Sequence, residues 1–221
     1  MDVVILVPWR GGDELREQSY RVVRPYLNKL GWPIYEGDSD GLWSRGAALN
    51  AASAEAGAWD VAVIADADTI PPEGLDAAVA AAHAAGGGIR PHDHLYRLTP
   101  SGSLRVATDG IEGLREHHIL DEYPGGGLMV VSRVAWDAVG GFDERFVGWG
   151  HEDSAFGIQL VVKASWDQIP GSAYHLWHPD SPKRTREYAT NAKLLRQARS
   201  QYSRQLAEES NRRGFRLESV L

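Results

Sequence analysis

Two aspartates, Asp66 and Asp68, stand one residue apart directly after the apolar run 61–65. Side chains alternate along a strand, so both carboxylates would project from the same side of the strand's end. Like charges held this close repel each other unless a cation balances them, and divalent cations prefer carboxylate oxygens. The same pattern also fits a strand end followed by a helix cap at Asp68 or Thr69. The pair alone leaves a metal site and a helix cap open.

The run 61–65 belongs to a regular alternation of strands and helices in roughly the first 90 residues. Apolar runs predict strands, and apolar residues spaced along one face predict helices. The predicted strands are 3–9, 32–35 and 61–65, and the predicted helices are 13–30, 44–58 and 72–85. This alternation predicts an α/β fold with a doubly wound, mostly parallel sheet, whose ligands bind where the strands end.

The rest of the chain is less regular. Short strands are predicted at 89–91, 95–98, 125–131 and 165–169, and helices at 132–139, 152–163 and 184–209. We interpret 100–102 as a turn, 108–118 as a loop or short helix, and 140–150 as a loop rich in glycine and aromatic residues. The chain therefore ends in a predicted helical tail.

Composition narrows the class of protein. The 221 residues suit one domain, and the net charge of −7 argues against general nucleic-acid binding. Residues 183–221 carry a net charge of +6, which suits either an anionic partner or the solvated face of a terminal helix. Cysteine is absent, which excludes disulfides and thiolate metal sites. No apolar run reaches a membrane span and the N-terminus has no signal-peptide core, so we expect a cytoplasmic protein.

Several later stretches, taken with Asp66 and Asp68, carry a resemblance to a known family. A triple glycine at 125–127 precedes an apolar run, GGFDE follows at 140–144, GWGHED at 148–153, and a late histidine at 178. In this order they resemble inverting glycosyltransferases of the GT-A fold, most closely the C-terminal galactosyltransferase type and family-2 glycosyltransferases. The resemblance implies a Rossmann-like catalytic domain over 1–182, with a nucleotide-binding half at about 1–90 and an acceptor half at about 91–182. A basic C-terminal helix at 183–221 would follow.

The resemblance also implies which residues hold the nucleotide and donor sugar. Pro8, Trp9 and Arg10 look like the family's loop against the base and diphosphate. Arg45 and Asn50 are similar to an Arg and an Asn on the family's second helix, which faces the nucleotide. Asp38 either contacts the base or caps the helix near Ser44. The remaining implied donor residues are Asp66, Ala67, Asp68, Gly126, Gly127 and Trp149. The glycines lack side chains, which lets the sugar and the backbone approach closely.

For a metal, the resemblance implies direct ligation by Asp68 and His178, with Asp66 acting indirectly. The galactosyltransferase type has methionine where His175 stands, so His175 is a further possible ligand. Carboxylate and imidazole ligands without thiolate imply Mn²⁺ or Mg²⁺. The ion would bridge the two phosphates and neutralise charge on the departing nucleoside diphosphate.

The catalytic residues implied by the resemblance are Asp153 and Glu152, at the end of the glycine-tryptophan loop. Asp153 would be the base that takes the acceptor's proton, and Glu152 would orient donor or acceptor hydroxyls. Acidic residues in the first turn of a helix also suit the helix dipole without any catalytic role.

The expected function is metal-dependent transfer of a hexose (Gal, GalNAc or Glc type) from a UDP-sugar to an acceptor hydroxyl, with inversion. The acceptor could be a glycan, a lipid-linked sugar, a protein or a modified nucleic acid. A retaining transferase of the same fold, a GDP-sugar donor, and a catalytically silent sugar-nucleotide or glycan-binding module remain as alternatives.

Overall fold

The structure, a computed structural model, describes residues 1–123, 127–179, 181 and 183–213. The strands within these residues are β1 (Val3–Pro8), β2 (Ile34–Gly37), β3 (Val61–Ala65), β4 (Thr69–Ile70), β5 (Gly88–Arg90), β6 (His94–Leu98), β7 (Ile119–Tyr123), β8 (Leu128–Ser132), β9 (Trp166–Gln168) and β10 (Ser172–His175). The α-helices are α1 (Glu14–Asn28), α2 (Arg45–Ala56), α3 (Leu75–Ala85), α4 (Pro100–Asp109), α5 (Arg133–Val139), α6 (Glu152–Lys163), α7 (Arg186–Gln201) and α8 (Ser203–Arg213).

Six strands form the central sheet in the order β2-β1-β3-β8-β5-β9. Only β8 runs antiparallel to its neighbours, β3 and β5, and the other pairs are parallel. The mostly parallel sheet flanked by helices is therefore confirmed. An apolar run such as Leu128–Ser132 has no direction of its own, so its pattern does not predict this reversal.

Alternate residues of β1 point into two separate apolar cores. Val3, Ile5 and Val7 pack with α1 and α3, whereas Val4 and Leu6 pack with α2, α5 and α6. All five side chains are at most 8% exposed. Burial on both faces explains why the strand is an unbroken apolar run rather than an alternating one.

Side-chain caps fix where the helices nearest the candidate site begin. The Asp13 carboxylate accepts a hydrogen bond from the N–H of Arg16 at 3.0 Å, and the Ser44 hydroxyl accepts one from Ala47 at 3.2 Å. These caps start α1 and α2 at the predicted positions. The helix predicted from residue 72 begins instead at Leu75, because Gly74 adopts a φ of 76°, outside the helical region.

A second sheet, which the sequence pattern did not predict, has the order β4-β10-β6-β7. Its strand β6 matches the strand expected at 95–98, but β4, β7 and β10 were not expected. These strands are two to five residues long and mix polar with apolar side chains, so they lack a readable period. In this sheet Thr69 of β4 lies opposite His175 of β10.

Two helical segments also differ from expectation. The turn predicted at 100–102 is the start of α4, capped by Thr99, whose hydroxyl accepts from the N–H of Gly102 at 3.0 Å. The 108–118 segment completes α4 and then forms two 3-10 turns, Ile111–Gly113 and Glu116–His118. The helix predicted over 184–209 is two helices, α7 and α8, separated at Tyr202, whose φ is −107°.

Helices α7 and α8 pack on α6. Phe146, Ala155, Ile158 and Leu195 form a small buried cluster there, with Leu206 against it. The division of the chain at residue 182 stays a prediction. No helix in the described part of the chain has both the length and the apolar character that a membrane span requires.

Candidate active site

Asp68 lies beside two histidines, one at the end of β10 and one in the loop that follows. Nε2 of His175 is 3.5 Å from Oδ1 of Asp68, and Nε2 of His178 is 3.6 Å from Oδ2. One potential ligand atom from each of the three residues lies within 4.8 Å of the others, which is close enough for all three to hold one metal ion. The structure thus brings together three residues that are far apart in sequence.

The second sheet positions this cluster. The antiparallel pairing of β4 with β10 sets Thr69 opposite His175, and the N–H of Leu176 donates to the carbonyl oxygen of Asp68 over 2.8 Å. Backbone contacts therefore fix the Asp68 turn against the histidine segment without any ligand. The alternative of a helix cap at Asp68 or Thr69 is wrong, because Thr69 is in β4 and the next helix starts at Leu75.

The electrostatics of the cluster favour metal ligation. Burial acts to raise the pKa of the Asp68 carboxyl, but the charges of His175, His178 and Arg16 outweigh it and lower this pKa. Nδ1 of His178 lies 2.8 Å from the carbonyl oxygen of Pro179 and donates to it. With Nδ1 as the donor, Nε2 is the ring nitrogen that can bind a metal, and it is the one that faces Asp68. A carboxylate and an imidazole nitrogen oriented in this way suit a divalent metal.

Arg45 connects Asp66 to the acidic residues at the start of α6. Its Nε donates to Oδ1 of Asp66 at 2.7 Å, and its Nη1 lies 3.9 Å from Oε1 of Glu152. Burial acts to lower the pKa of Arg45, but Asp66, Glu152 and Asp153 raise it above its ordinary value. Burial raises the pKa of Asp66, although the charge of Arg45 opposes this shift. The guanidinium stays charged and bridges the two acidic segments.

Three polar atoms of this bridge are buried without a hydrogen-bond partner among the described residues: Nη1 and Nη2 of Arg45 and Oε2 of Glu152. Burial of such atoms costs about 1–3 kcal/mol each unless a ligand or water binds them. Burial, followed by the charge of Asp153, raises the pKa of Glu152 to about 7, with Arg45 acting in the opposite direction. These atoms indicate a ligand position between α2 and α6.

The acidic pair follows a strained backbone position. His151 has a φ of 78°, and among the described residues it is the one non-glycine with a positive φ. Such strain is frequent at functional sites. His151 precedes the first turn of α6, in which Glu152 and Asp153 lie, and Oδ1 of Asp153 accepts from the N–H of Ser154 at 2.8 Å.

The loop before these acids is fastened to helix α7. Trp149 is 46% exposed, and its ring stacks on that of Tyr188 with the centroids 5.6 Å apart. The ring centroid of His151 lies 4.9 Å from that of the same tyrosine. The buried amide of Asn191 donates to the carbonyl oxygen of Val147 at 3.0 Å and to that of Trp149 at 3.5 Å. Helix α7 therefore holds the 147–151 loop that precedes Glu152 and Asp153.

The predicted nucleotide side contains a tightly bonded arginine. Nε of Arg10 donates to Asp38 at 2.7 Å, Nη1 donates to the carbonyl oxygen of Gly41 at 3.0 Å, and Nη2 donates to the carbonyl oxygen of Ser39. Trp9 is partly buried against Tyr20, with ring centroids 4.7 Å apart. Pro8 ends β1 and is buried. In this conformation the donors of Arg10 brace the 38–41 loop.

The side-chain amide of Asn50 is bonded to the GGFDE segment. Its Nδ2 donates to the carbonyl oxygen of Phe142 at 2.9 Å and to Glu144 at 2.8 Å, and its Oδ1 accepts from the N–H of Phe142 at 2.9 Å. The amide thus holds the GGFDE segment on α2. Its predicted contact with the nucleotide stays a prediction.

Of the two glycines and the alanine predicted in the donor site, the structure describes Gly127 and Ala67. The carbonyl oxygen of Gly127 accepts from the N–H of Asp66 at 2.9 Å, and at its φ of 83° a side chain would meet Thr69. Glycine at 127 therefore keeps the Asp66 turn close to β8. Ala67 is buried between the two aspartates, 4% exposed. Gly126 lies outside the described residues.

Sequence reasoning missed Arg16, Trp43, Tyr188 and Asn191. No motif contains them, and each is recognised only by its contacts in the folded chain. Trp43 lies between two arginines, with Arg10 at 5.3 Å and Arg16 at 5.1 Å from its ring centroid. The carbonyl oxygen of Trp43 also accepts from the N–H of Gly148 at 2.7 Å. This bond ties the tryptophan loop, residues 147–151, to the segment just before α2.

Comparisons with known proteins agree with this fold and site. Residues 111–175, less than a third of the chain, match the family model described as the N-terminal domain of galactosyltransferase. Among solved structures, the catalytic domain of Drosophila β1,4-galactosyltransferase 7 in complex with xylobiose matches with a TM-score of 0.58 and 17% identity. This match covers 86% of our chain and 79% of the other.

A mutant of the same Drosophila enzyme, in complex with manganese, UDP-Gal and xylobiose, matches with a TM-score of 0.57 and 16% identity over 86% of this chain and 79% of that one. No curated protein matches. The fold is the GT-A fold of glycosyltransferases, as the sequence resemblance implied. Together with the galactosyltransferase match at 111–175, this fold supports an enzyme of the transferase class.

Proposed function

We propose that this chain transfers a hexose of the Gal, GalNAc or Glc type from a UDP-sugar to an acceptor hydroxyl, with inversion and with a divalent metal. The observation that carries the proposal is the cluster of Asp68, His175 and His178, whose ligand atoms lie within 4.8 Å of one another. The manganese and UDP-Gal complex of the Drosophila enzyme supports the same choice of metal and donor.

The three residues fit a divalent ion by their chemistry. Asp68 supplies a carboxylate, and His175 and His178 supply imidazole nitrogens, while Asp66 is held away by Arg45 and acts indirectly. Nitrogen ligands favour Mn²⁺ over Mg²⁺, which prefers oxygen and water. When bound, the ion would neutralise negative charge on the diphosphate leaving group.

In the proposed transfer, Asp153 is the general base. Its carboxylate takes the proton of the acceptor hydroxyl while that oxygen forms a bond to the anomeric carbon from the side opposite the leaving group. The bond between the anomeric carbon and the phosphate oxygen breaks, and its electron pair leaves with UDP. Glu152, whose Oε2 is buried without a partner among the described residues, orients a hydroxyl of the donor or acceptor.

We further propose that residues on the nucleotide side form the rest of the donor site. These are Pro8, Trp9, Arg10, Asp38, Arg45, Asn50, Ala67, Gly126, Gly127 and Trp149. Residues 1–182 would then be the catalytic domain. Because α7 holds the tryptophan loop through Asn191, the helix that follows this domain acts with it rather than as a free tail.

The test is release of UDP from UDP-galactose, UDP-N-acetylgalactosamine and UDP-glucose, with Mn²⁺ or with EDTA, in the presence of a panel of sugar acceptors. We expect Mn²⁺-dependent release with at least one donor. D153N should reduce kcat by about 10²–10⁴-fold while UDP binding persists. Proton NMR of the product then reads the anomeric configuration, and retention would contradict the inverting mechanism. Full activity in EDTA would contradict the metal site.

A further inference from the structure

We propose that Arg16 is a phosphate-binding residue of the donor site, and that its guanidinium contacts the diphosphate of the nucleotide-sugar. This inference rests on the proposed function and assigns a role to a residue outside every motif in the sequence. The family resemblance implied that Arg10 binds the phosphate. We assign this role instead to Arg16, in the first turn of α1.

Arg16 and Arg10 share one aromatic neighbour but differ in their bonding. The guanidinium carbon of Arg16 lies 5.1 Å from the Trp43 ring centroid, and that of Arg10 lies 5.3 Å from it. Every nitrogen of the Arg10 guanidinium donates to the 38–41 loop. The guanidinium of Arg16 makes no hydrogen bond or ion pair with any residue that the structure describes, so its five N–H donors are available.

Arg16 is also next to the metal cluster. It lies in the first turn of α1, and α1 packs against β4, the strand that directly follows Asp68. Stacking on Trp43 holds the guanidinium on this side of the cluster and leaves its edge free for a ligand.

The local charge explains why the ligand would be an anion. Asp66 pairs with Arg45 and Asp68 faces the two histidines, so neither carboxylate is bonded to Arg16. A half-buried arginine without an acidic partner suits a phosphate, whose oxygens match the planar guanidinium in a bidentate contact. Near the proposed metal ligands, such a guanidinium would supply a further positive charge for a diphosphate.

A binding experiment tests the role without depending on turnover. The probes are UDP and uridine, titrated by calorimetry into the full chain with saturating Mn²⁺. We expect R16Q to weaken UDP binding about tenfold or more, which is the loss of one charge-assisted phosphate contact, and R16K to lose part of that affinity. Uridine, which has no phosphate, should bind R16Q and wild type equally.

The matched control is R21Q, on the same helix. The Arg21 side chain is 74% exposed, and its one ion pair with a described residue is with Glu17 at 3.4 Å, so R21Q should bind UDP like the wild type. UDP affinity that is unchanged in R16Q and reduced in R10Q would overturn the inference in favour of Arg10. Failure of the wild type to bind UDP with Mn²⁺ would instead count against the proposed donor, and so against this role with it.

Discussion

Nε of Arg45 donates a hydrogen bond to Oδ1 of Asp66 over 2.7 Å, and both side chains lie mostly inside the protein, 12% and 24% exposed. This ion pair joins the first residue of α2 to the turn after β3. Asp66 is thus bonded to Arg45, whereas Asp68 lies beside His175 and His178. The two neighbouring carboxylates therefore have different partners.

We expect R45A to lower the free energy of unfolding by about 2–4 kcal/mol, because it leaves the Asp66 carboxylate buried without its cation. Urea denaturation of the metal-free protein measures this change. The matched control is R204A, which breaks an exposed pair with Glu208 whose side chains are 88% and 63% exposed. That variant should lose less than about 1 kcal/mol. Equal losses in both variants would contradict a special role for the buried pair.

Mn²⁺ should bind through Asp68, His175 and His178. We expect D68N and H178A each to weaken Mn²⁺ binding by at least about tenfold, since each removes one of three ligands. Electron paramagnetic resonance of free Mn²⁺ reads the affinity directly. H83A is the control, because His83 is exposed on α3 and outside the cluster. H175A decides the open question of the third ligand: an unchanged affinity would leave His175 out of the metal shell.

The pKa of Glu152, raised to about 7 mainly by burial and then by Asp153, predicts a pH-dependent stability. A carboxyl whose folded pKa exceeds its unfolded value makes the folded state less stable as pH rises from about 4.5 to 7. Glutamine cannot ionise, so E152Q should be more stable than the wild type at pH 8, by about 1–3 kcal/mol, and should match it near pH 4.

Chemical denaturation in EDTA at the two pH values measures this difference. Arg45, Asp153 and Asp66 are the charged groups that act on Glu152, and E152Q retains all three. A gap between E152Q and wild type that persists unchanged at pH 4 would show that packing, rather than ionisation, is responsible.

Asn191 should control the order of the tryptophan loop. N191D replaces an amide that donates to two carbonyl oxygens by a carboxylate that repels them, so we expect faster hydrogen exchange of the amides in 147–151 and a lower kcat. Affinity for UDP with Mn²⁺ should change less than twofold. Q197E makes the same chemical change at an exposed position of α7 and should leave exchange and kcat unaltered. Unchanged exchange in N191D would remove the proposed anchoring role.

The central sheet could be predicted because its strands are buried on both faces. Val3 to Pro8 and Val61 to Ala65 are apolar throughout, and Asp13 and Ser44 mark the helix starts with side chains that cap in the structure. Thr99 followed by Pro100 is also typical of a helix start, and these residues begin α4. The interpretation of 100–102 as a turn did not use this pattern.

The second sheet and the anchors of the site could not be predicted in the same way. β4 has two residues and lies at the edge of its sheet. The strand it pairs with, β10, is more than a hundred residues later in the chain. Tyr188 and Asn191 look like ordinary helix residues until the fold brings α7 to the loop at 147–151. Which arginine stays available, Arg10 or Arg16, depends on hydrogen bonds to the 38–41 loop, and sequence spacing does not encode these.

The pairing of β4 with β10 has a consequence for how such a chain can diversify. Two backbone-paired residues, Thr69 and His175, hold the proposed metal-binding segments together, and α4 adds to this tie because the Ser103 hydroxyl accepts from the N–H of Trp177 at 2.7 Å. The 110–118 stretch, between α4 and β7, lies outside these contacts, so insertions there would leave the ligand geometry intact. Under the proposed division of the chain this stretch is on the acceptor side, and acceptor preference could then be altered by grafting there while the metal-binding segments stay unchanged.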